Sequence, residues 1–149
     1  MKNLMKRLKD QRGLTLIELL AVVVILGIIA AIAIPSIGGI IQKSKEDAVK
    51  ADAIQMLNSA KLYIAANGVA DNGGNTTITK DQILEYVDNP GSFKDATFSV
   101  VYDGSSYKLT TTTTPITAGS VKLIFKNADV QAIDKDSGKG DRTIQSTGS

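Results

Sequence analysis

The chain has 149 residues, of which 43% are apolar and 21% charged, with 17 basic and 15 acidic side chains and neither His nor Cys. A length near 150 is typical of one domain with at most an appendage. The absence of His and Cys excludes thiol nucleophiles, imidazole bases, disulfides and His- or Cys-ligated metal sites. Only hydroxyls, carboxylates and lysines remain for catalysis, so we expect neither an enzyme nor a bound cofactor.

A basic segment precedes a long apolar one at the N-terminus. Residues 1–13 carry five basic side chains against one acidic, a net charge of +4, and the rest of the chain carries −2. Residues 14–34 are apolar apart from Thr15 and Glu18. As a helix rising about 1.5 Å per residue they would span the roughly 30 Å hydrocarbon core of a bilayer. The positive-inside rule predicts a cytoplasmic N-terminus and an exported C-terminal part.

Three interpretations of this N-terminus compete. A cleaved secretory signal would use the small residues 31–33 as its cleavage site, although the apolar run is longer than usual. A simple membrane anchor is the second. Both leave Glu18 unexplained, because a carboxylate deep in lipid costs on the order of 3 kcal/mol. The third interpretation gives this carboxylate a partner.

Residues 9–20 read KDQRGLTLIELL. This segment resembles the processing signal of the type IV pilin family: a basic leader ending in Gly, then an apolar residue, Thr, two apolar residues and Glu, fused to a membrane helix. The resemblance implies cleavage by a prepilin peptidase after Gly13 and N-methylation of Leu14. It also implies that Glu18 of one subunit neutralises the Leu14 amine of a neighbour during filament assembly.

Two further features of this segment have alternative explanations. Thr15 and Glu18 also match a capping box at a helix start, and the two roles can coexist. Gly27 and Pro35 match family positions near which the helix can lose helicity in assembled pili, and Pro35 predicts a kink at residues 31–35. An ordinary Gly and Pro, tolerated in transmembrane helices, is the alternative.

Beyond the membrane segment the sequence predicts an α+β head. Apolar residues at spacings of three and four continue the helix to about Ala66, with Glu46 and Lys50 off the apolar stripe, and Asn67-Gly68 stops it. Thr79 to Gln82 match a capping box that opens a short helix to about Val87. Alternating patterns predict strands over residues 97–102, 107–113 and 121–126, with a short edge at residues 130–133. We therefore expect the long helix to pack on one three- or four-stranded antiparallel sheet.

The C-terminal segment is polar and rich in Gly and Ser, and we expect it to be loose. Asp134 and Asp136 faintly resemble a calcium loop, but lysines intervene and no Glu closes it, so a solvated tail is the better interpretation. The predicted organisation is a cleaved leader at 1–13, a transmembrane and filament-core helix at 14–40, a head at 41–133 and a tail at 134–149.

The resemblance implies a structural subunit of a type IV pilus-like surface filament that supports adhesion, twitching motility, DNA uptake or secretion. It implies as partners other copies of the chain, the prepilin peptidase, an inner-membrane platform with its ATPase, and minor pilins. The subunit would cross the plasma membrane once, with a cytoplasmic leader, and reach the cell surface after assembly. A pseudopilin of a type II secretion or competence system is the close alternative, and an exported or tethered binding domain the more distant one. Nucleic acid is not expected as a strong ligand, since the sequence has no basic stripe beyond Lys108, Lys122 and Lys126.

Overall fold

The structure is a computed structural model and describes residues 2–69, 74–112 and 114–146, with side chains described from Thr15 onward. It divides into two compact units, Met1–Ile41 and Gln42–Ser149. Helix α1 (Lys2–Asn67) contributes to both. At the C-terminal end of α1, the Asn67 side-chain amide donates a hydrogen bond to the Tyr86 hydroxyl at 3.0 Å.

Helix α1 begins earlier than predicted. We expected it to start at Leu14, but it starts at Lys2, within the predicted leader. Residues 4–9 are Leu, Met, Lys, Arg, Leu and Lys, which are strong helix formers, and a single Gly13 costs only about 1 kcal/mol within a helix. The helix also runs through Gly27 and Pro35, and a bend of its axis there stays a prediction. Its end at Asn67 confirms the predicted stop, with Gly68 at φ 80°.

The second unit has an α+β fold, as predicted, but with two small sheets instead of one. Sheet 1 is the antiparallel array β1 (Thr76–Thr79), β2 (Phe98–Tyr102) and β3 (Tyr107–Thr111). Sheet 2 has the order β4 (Ile116–Ala118), β5 (Val121–Lys126), β6 (Arg142–Gln145), with β5 antiparallel to β4 and parallel to β6. Strands β1, β4 and β6 were not predicted, because four residues or fewer carry too little alternation to detect.

The two sheets are joined between β3 and the end of β5. Leu109 and Ala128 exchange two backbone hydrogen bonds of 2.9 Å each. Thr111 uses its hydroxyl to accept from the Phe125 N–H at 3.1 Å and to donate to the Phe125 carbonyl at 3.3 Å. These bonds satisfy backbone groups that each sheet alone would leave unpaired at this edge.

The core of the head lies between the second half of α1 and the inner faces of the sheets. From α1 it takes the predicted stripe, in which Ala53, Met56, Leu57 and Ala60 are fully buried. The strands contribute large buried side chains from alternate positions, namely Ile78, Val100, Leu109, Leu123 and Phe125. The predicted alternation of β5 is confirmed, with a burial pattern that switches at every residue from Val121 to Lys126.

Two short helices complete the head. Helix α2 (Lys80–Leu84) begins at the predicted capping box, where the Thr79 N–H donates to Gln82 Oε1 at 2.9 Å, but it ends three residues before the predicted Val87. A 3₁₀ helix (Gly91–Phe93) follows. Residues 130–133, predicted as an edge strand, belong instead to helix α3 (Val130–Lys135), which Asp129 caps through the Ala132 N–H at 2.7 Å. An Asp at this position favours a helix start over a strand.

The expectation of a loose tail is wrong where the chain forms the end of α3, at residues 134–135, and a strand at residues 142–145. Strand β6 pairs with β5 over four residues, and Ile144 is only 3% exposed. A single apolar residue in a polar stretch gave no strand signal, yet it fills the inner face of sheet 2 beside Phe125, its register partner. Residues 147–149 of the predicted tail lie outside the described residues.

Candidate functional site

The exposed surface of residues 15–41 is almost entirely apolar. All the large aliphatic side chains between residues 16 and 41 are at least 51% exposed. Soluble monomers rarely expose a contiguous apolar surface of that extent. Among the described helices, only α1 is long and apolar enough to cross a membrane. This surface therefore needs a nonaqueous environment or a protein partner.

One charged residue interrupts this apolar surface. Glu18 is exposed and forms no hydrogen bond or ion pair with any described residue. Thr15 lies one turn before it, inside α1, so a capping box at these two residues is not formed while the leader is attached. Gly13 and Leu14 also lie within the helical backbone, and their side chains are outside the described residues. The processing and pairing roles of these residues remain predictions.

A buried charge network anchors the tail to the head. Arg142 of β6 binds the carboxylate of Asp136 through Nη2 at 2.5 Å and Nε at 2.9 Å, and that of Glu46 on α1 through Nη1 at 2.8 Å. Lys50, one turn after Glu46, binds Asp136 at 2.9 Å. The four side chains are only 11–14% exposed. Within the described residues the network leaves no buried polar side-chain atom without a partner.

The electrostatics of the network favour its charged form. Hydrogen bonds from Gln42 and Arg142 hold the pKa of Glu46 below its usual range. Burial raises the pKa of Asp136, but hydrogen bonds from Arg142 and Lys50 outweigh that effect and lower it to about 2. The pKa of Arg142 is raised, mainly by its hydrogen bond to Asp136. The network is therefore a structural clamp that favours the charged forms of Glu46, Asp136 and Arg142.

Sequence reasoning missed this network and placed Glu46 and Lys50 off the apolar stripe of the helix. Two signals were present. Glu46 and Lys50 are four residues apart, the spacing of a helical ion pair. Arg142 is the only Arg after residue 12, and a guanidinium is suited to bridging two carboxylates. Neither signal identifies the partner 96 residues away, because only the fold brings Arg142 to Glu46.

The two aspartates of the faint calcium pattern are separated in the structure. Asp136 is bound to two cations, Lys50 and Arg142, whereas Asp134 is exposed at the end of α3. No group of three acidic side chains suited to a metal ion occurs in the described parts of the chain. Asp136 thus has a role in the clamp that the pattern did not suggest.

The clamp predicts an acid-sensitive head. Because the folded-state pKa of Asp136 lies below its unfolded value of 3.8, its stabilisation is present above pH 4 and is lost as the pH falls towards 2. This lowering of the Asp136 pKa corresponds to a contribution of at most about 2 kcal/mol to the free energy of unfolding. We expect Asp136→Asn to remove much of the loss of stability between pH 4 and 2, with the remainder due to Glu46.

The measurement is thermal unfolding of the purified chain in detergent at several pH values, followed by near-UV circular dichroism. All four Tyr lie after residue 41, so this signal reports the head alone. Asp134→Asn is the matched control, since Asp134 is exposed and outside the ion pairs. Identical acid profiles for Asp136→Asn and the unchanged chain would contradict the assignment.

Comparison with known proteins agrees with the N-terminal pattern. The family described as the prokaryotic N-terminal methylation motif matches residues 8–34. The chain is 34% identical over 79 residues to the type II secretion system core protein G of Vibrio cholerae, covering 51% of this chain and 54% of that protein. It is 30% identical over 80 residues to the protein of the same name from Klebsiella michiganensis, covering 52% and 56%.

The chain thus spans about half the length of the curated relatives it matches. No solved structure matches it. The motif match begins one residue before the segment KDQRGLTLIELL and ends one residue before Pro35, so it includes Gly13, Leu14, Thr15 and Glu18. The chain therefore carries a prokaryotic N-terminal methylation motif, and its resemblance to type IV pilin-like proteins is confirmed.

Proposed function

We propose that this chain is a structural subunit of a type IV pilus-like filament and has no catalytic activity. The prepilin peptidase cleaves after Gly13 and Leu14 becomes N-methylated. The mature chain then assembles through residues 14–41, with the heads outward. The observation that carries the proposal is the exposed apolar surface of residues 16–41, which overlaps the methylation motif and contains Glu18 as its one charged residue.

The physical argument starts from what can cover that surface. Before assembly, lipid covers it, because the segment has the length and composition of a membrane span. Lipid is as apolar as the helix, so apolar burial alone does not drive helices from lipid into a filament. A polar interaction available only in the filament supplies the difference. Glu18 meeting the α-amino group of Leu14 of a neighbour is that interaction, because neither charge has a partner in lipid.

The relatives favour a second candidate within the same class. Both carry the name type II secretion system core protein G. The chain could accordingly be a pseudopilin, whose filament serves protein secretion instead of adhesion, motility or DNA uptake. Both candidates require the same processing, the same membrane insertion with a cytoplasmic N-terminus, and an assembly platform with its ATPase. They differ in whether the filament is displayed on the cell surface.

The test combines three measurements on the native host. Mass analysis of the mature chain is expected to give an N-methylated Leu14 at its start. Electron microscopy of sheared surface material with an antibody to the head is expected to show filaments made mainly of this chain. A mature chain that starts at Ile34, or retains residues 1–13, would overturn the proposal. Deletion of the gene separates the candidates: loss of surface filaments indicates a pilin, and loss of exoprotein secretion with surface filaments intact indicates a pseudopilin.

A further inference from the structure

The outer face of sheet 2 carries two lysines, and the Lys122 backbone N–H donates to Asp141 Oδ1 at 2.7 Å. Strand β5 buries Val121, Leu123 and Phe125, so the intervening residues Lys122, Ile124 and Lys126 lie on the opposite, exposed face. Neither lysine forms an ion pair with a described residue, and Ile124 is 40% exposed. The neighbouring exposed positions of β4 and β6 are the uncharged residues Thr117, Thr143 and Gln145. We call this surface, centred on Lys122, Ile124 and Lys126, the β5 face.

Three exposed acidic side chains lie on a different element of the head. Asp81 and Glu85 are one helical turn apart on α2 and its C-terminal cap, and Asp88 follows shortly after. All three are exposed and outside the ion pairs of the described residues. Like charges at this spacing repel each other and destabilise a helix slightly. We call Asp81, Glu85 and Asp88 the α2 acidic surface.

The α2 acidic surface is held firmly in place. The Gln82 side chain donates to the Tyr63 hydroxyl of α1 at 2.7 Å and accepts from the Thr79 N–H at 2.9 Å. The nearest lysine in sequence, Lys80, donates its ammonium to the Lys94 carbonyl at 2.6 Å, so it does not pair with these carboxylates. A fixed surface of one charge loses little conformational entropy when it meets a complementary one.

The two surfaces cannot satisfy each other within one chain. Helix α2 adjoins β1, an edge strand of sheet 1, whereas β5 is the central strand of sheet 2, and β3 and β2 lie between β1 and β5. Two unlike, complementary surfaces on one molecule generate a heterologous contact. A heterologous contact that does not close into a ring builds an open helical polymer.

We propose that the β5 face of one subunit docks on the α2 acidic surface of a second copy. This inference rests on the proposed function, because it describes a contact between heads within the filament. Lys122 and Lys126 meet the carboxylates, and Ile124 lies between the two lysines and loses its exposed apolar area. Single exposed ion pairs contribute little. A contact with several such pairs, repeated at every subunit, sets the orientation of the heads and disfavours other arrangements.

The first experiment reverses the charges in the full-length chain and measures the yield of sheared filaments. We expect Lys122→Glu with Lys126→Glu to lower the yield at least about tenfold, because like charges then face each other. Adding Asp81→Lys and Glu85→Lys to the same chain is expected to restore most of the yield. Lys135→Glu with Lys139→Glu is the matched control, since it makes the same change of charge elsewhere on the exposed surface. Near-UV circular dichroism checks that each variant retains the folded head.

The second experiment uses the absence of Cys from the chain. Glu85→Cys and Lys126→Cys in one chain are expected to give an oxidation-dependent ladder of crosslinked multimers in filaments. Lys135→Cys with Lys139→Cys in one chain is the control pair. The contact is overturned if filaments form at a normal yield and the control pair gives crosslinks, but Glu85→Cys with Lys126→Cys gives none.

The outcomes separate this contact from the proposed function. Filaments of the unchanged chain, together with a normal yield from Lys122→Glu/Lys126→Glu, overturn the contact and leave the function standing. If Asp81→Lys and Glu85→Lys do not restore the filament yield, and the Cys pair gives no crosslinks, the α2 acidic surface is not the partner. Absence of the unchanged chain from any filament overturns the proposed function, and the contact with it.

Discussion

Replacing Glu18 with Gln is expected to leave the chain processed and membrane-inserted but to reduce filament yield about a hundredfold. The amine created at Leu14 by cleavage is mostly cationic near neutral pH. Burying it in the filament without an acidic partner costs about 3 kcal/mol, which corresponds to that factor. The measurement is the ratio of this chain in sheared filaments to that in membranes, by immunoblot.

Two comparison variants isolate the charge of Glu18. Gln at this position preserves a capping box with Thr15, so a role confined to capping predicts normal filaments from Glu18→Gln. Thr15→Ala removes the hydroxyl of the box and keeps the carboxylate, and we expect it to assemble. Normal assembly of Glu18→Gln would refute the pairing role, whereas loss of assembly in Thr15→Ala alone would favour the cap.

Replacing Arg142 with Met is expected to lower the stability of the head more than any other change to the clamp proposed here. Met has a comparable length and no charge, so the carboxylates of Asp136 and Glu46 lose their shared partner. Removing one member of a buried ion pair typically costs 3–5 kcal/mol. We expect about 3 kcal/mol, because these side chains retain 11–14% exposure. In a unit of about 100 residues this lowers the melting temperature by more than about 10 °C.

Thermal unfolding followed by near-UV circular dichroism measures this effect in the purified chain. Lys139→Met is the matched control, because Lys139 is exposed and outside the ion pairs of the described residues. We also expect limited proteolysis of Arg142→Met to cleave first between Asp136 and Arg142, where the clamp closes the chain. A melting temperature no lower than that of the control would show that the network does not anchor the tail.

The buried face of the second half of α1 could be predicted from the local sequence pattern. The stripe through Ala53, Met56 and Ala60 predicted the buried face of the helix correctly, since the period of a helix and the polarity of its neighbours are both local properties. The β2–β3 hairpin was predicted for the same reason, although β3 ends at Thr111, two residues before the predicted end. Thr113, the predicted last residue, lies outside the described residues.

Sheet 2 could be predicted from the sequence only in part. Strand β5 has six alternating residues and was predicted. Strand β6 has one apolar residue among four and pairs in parallel with β5, which requires a connection through α3. A parallel neighbour that follows a helical connection leaves no turn signal of the kind that marks a hairpin. The tail was consequently assigned to solvent, although Ile144 is part of the core.

The N-terminal features of this protein could be recognised from the sequence without the structure. A basic segment, a methylation motif, an apolar run of membrane-spanning length and one acidic residue within it are contiguous or overlap in sequence, so they can be recognised without the fold. Only the fold shows the partners of Arg142, the strand at Ile144 and the separation of the β5 face from the α2 acidic surface. Each of these depends on residues far apart in sequence, whose proximity or separation follows from how the sheets assemble around α1.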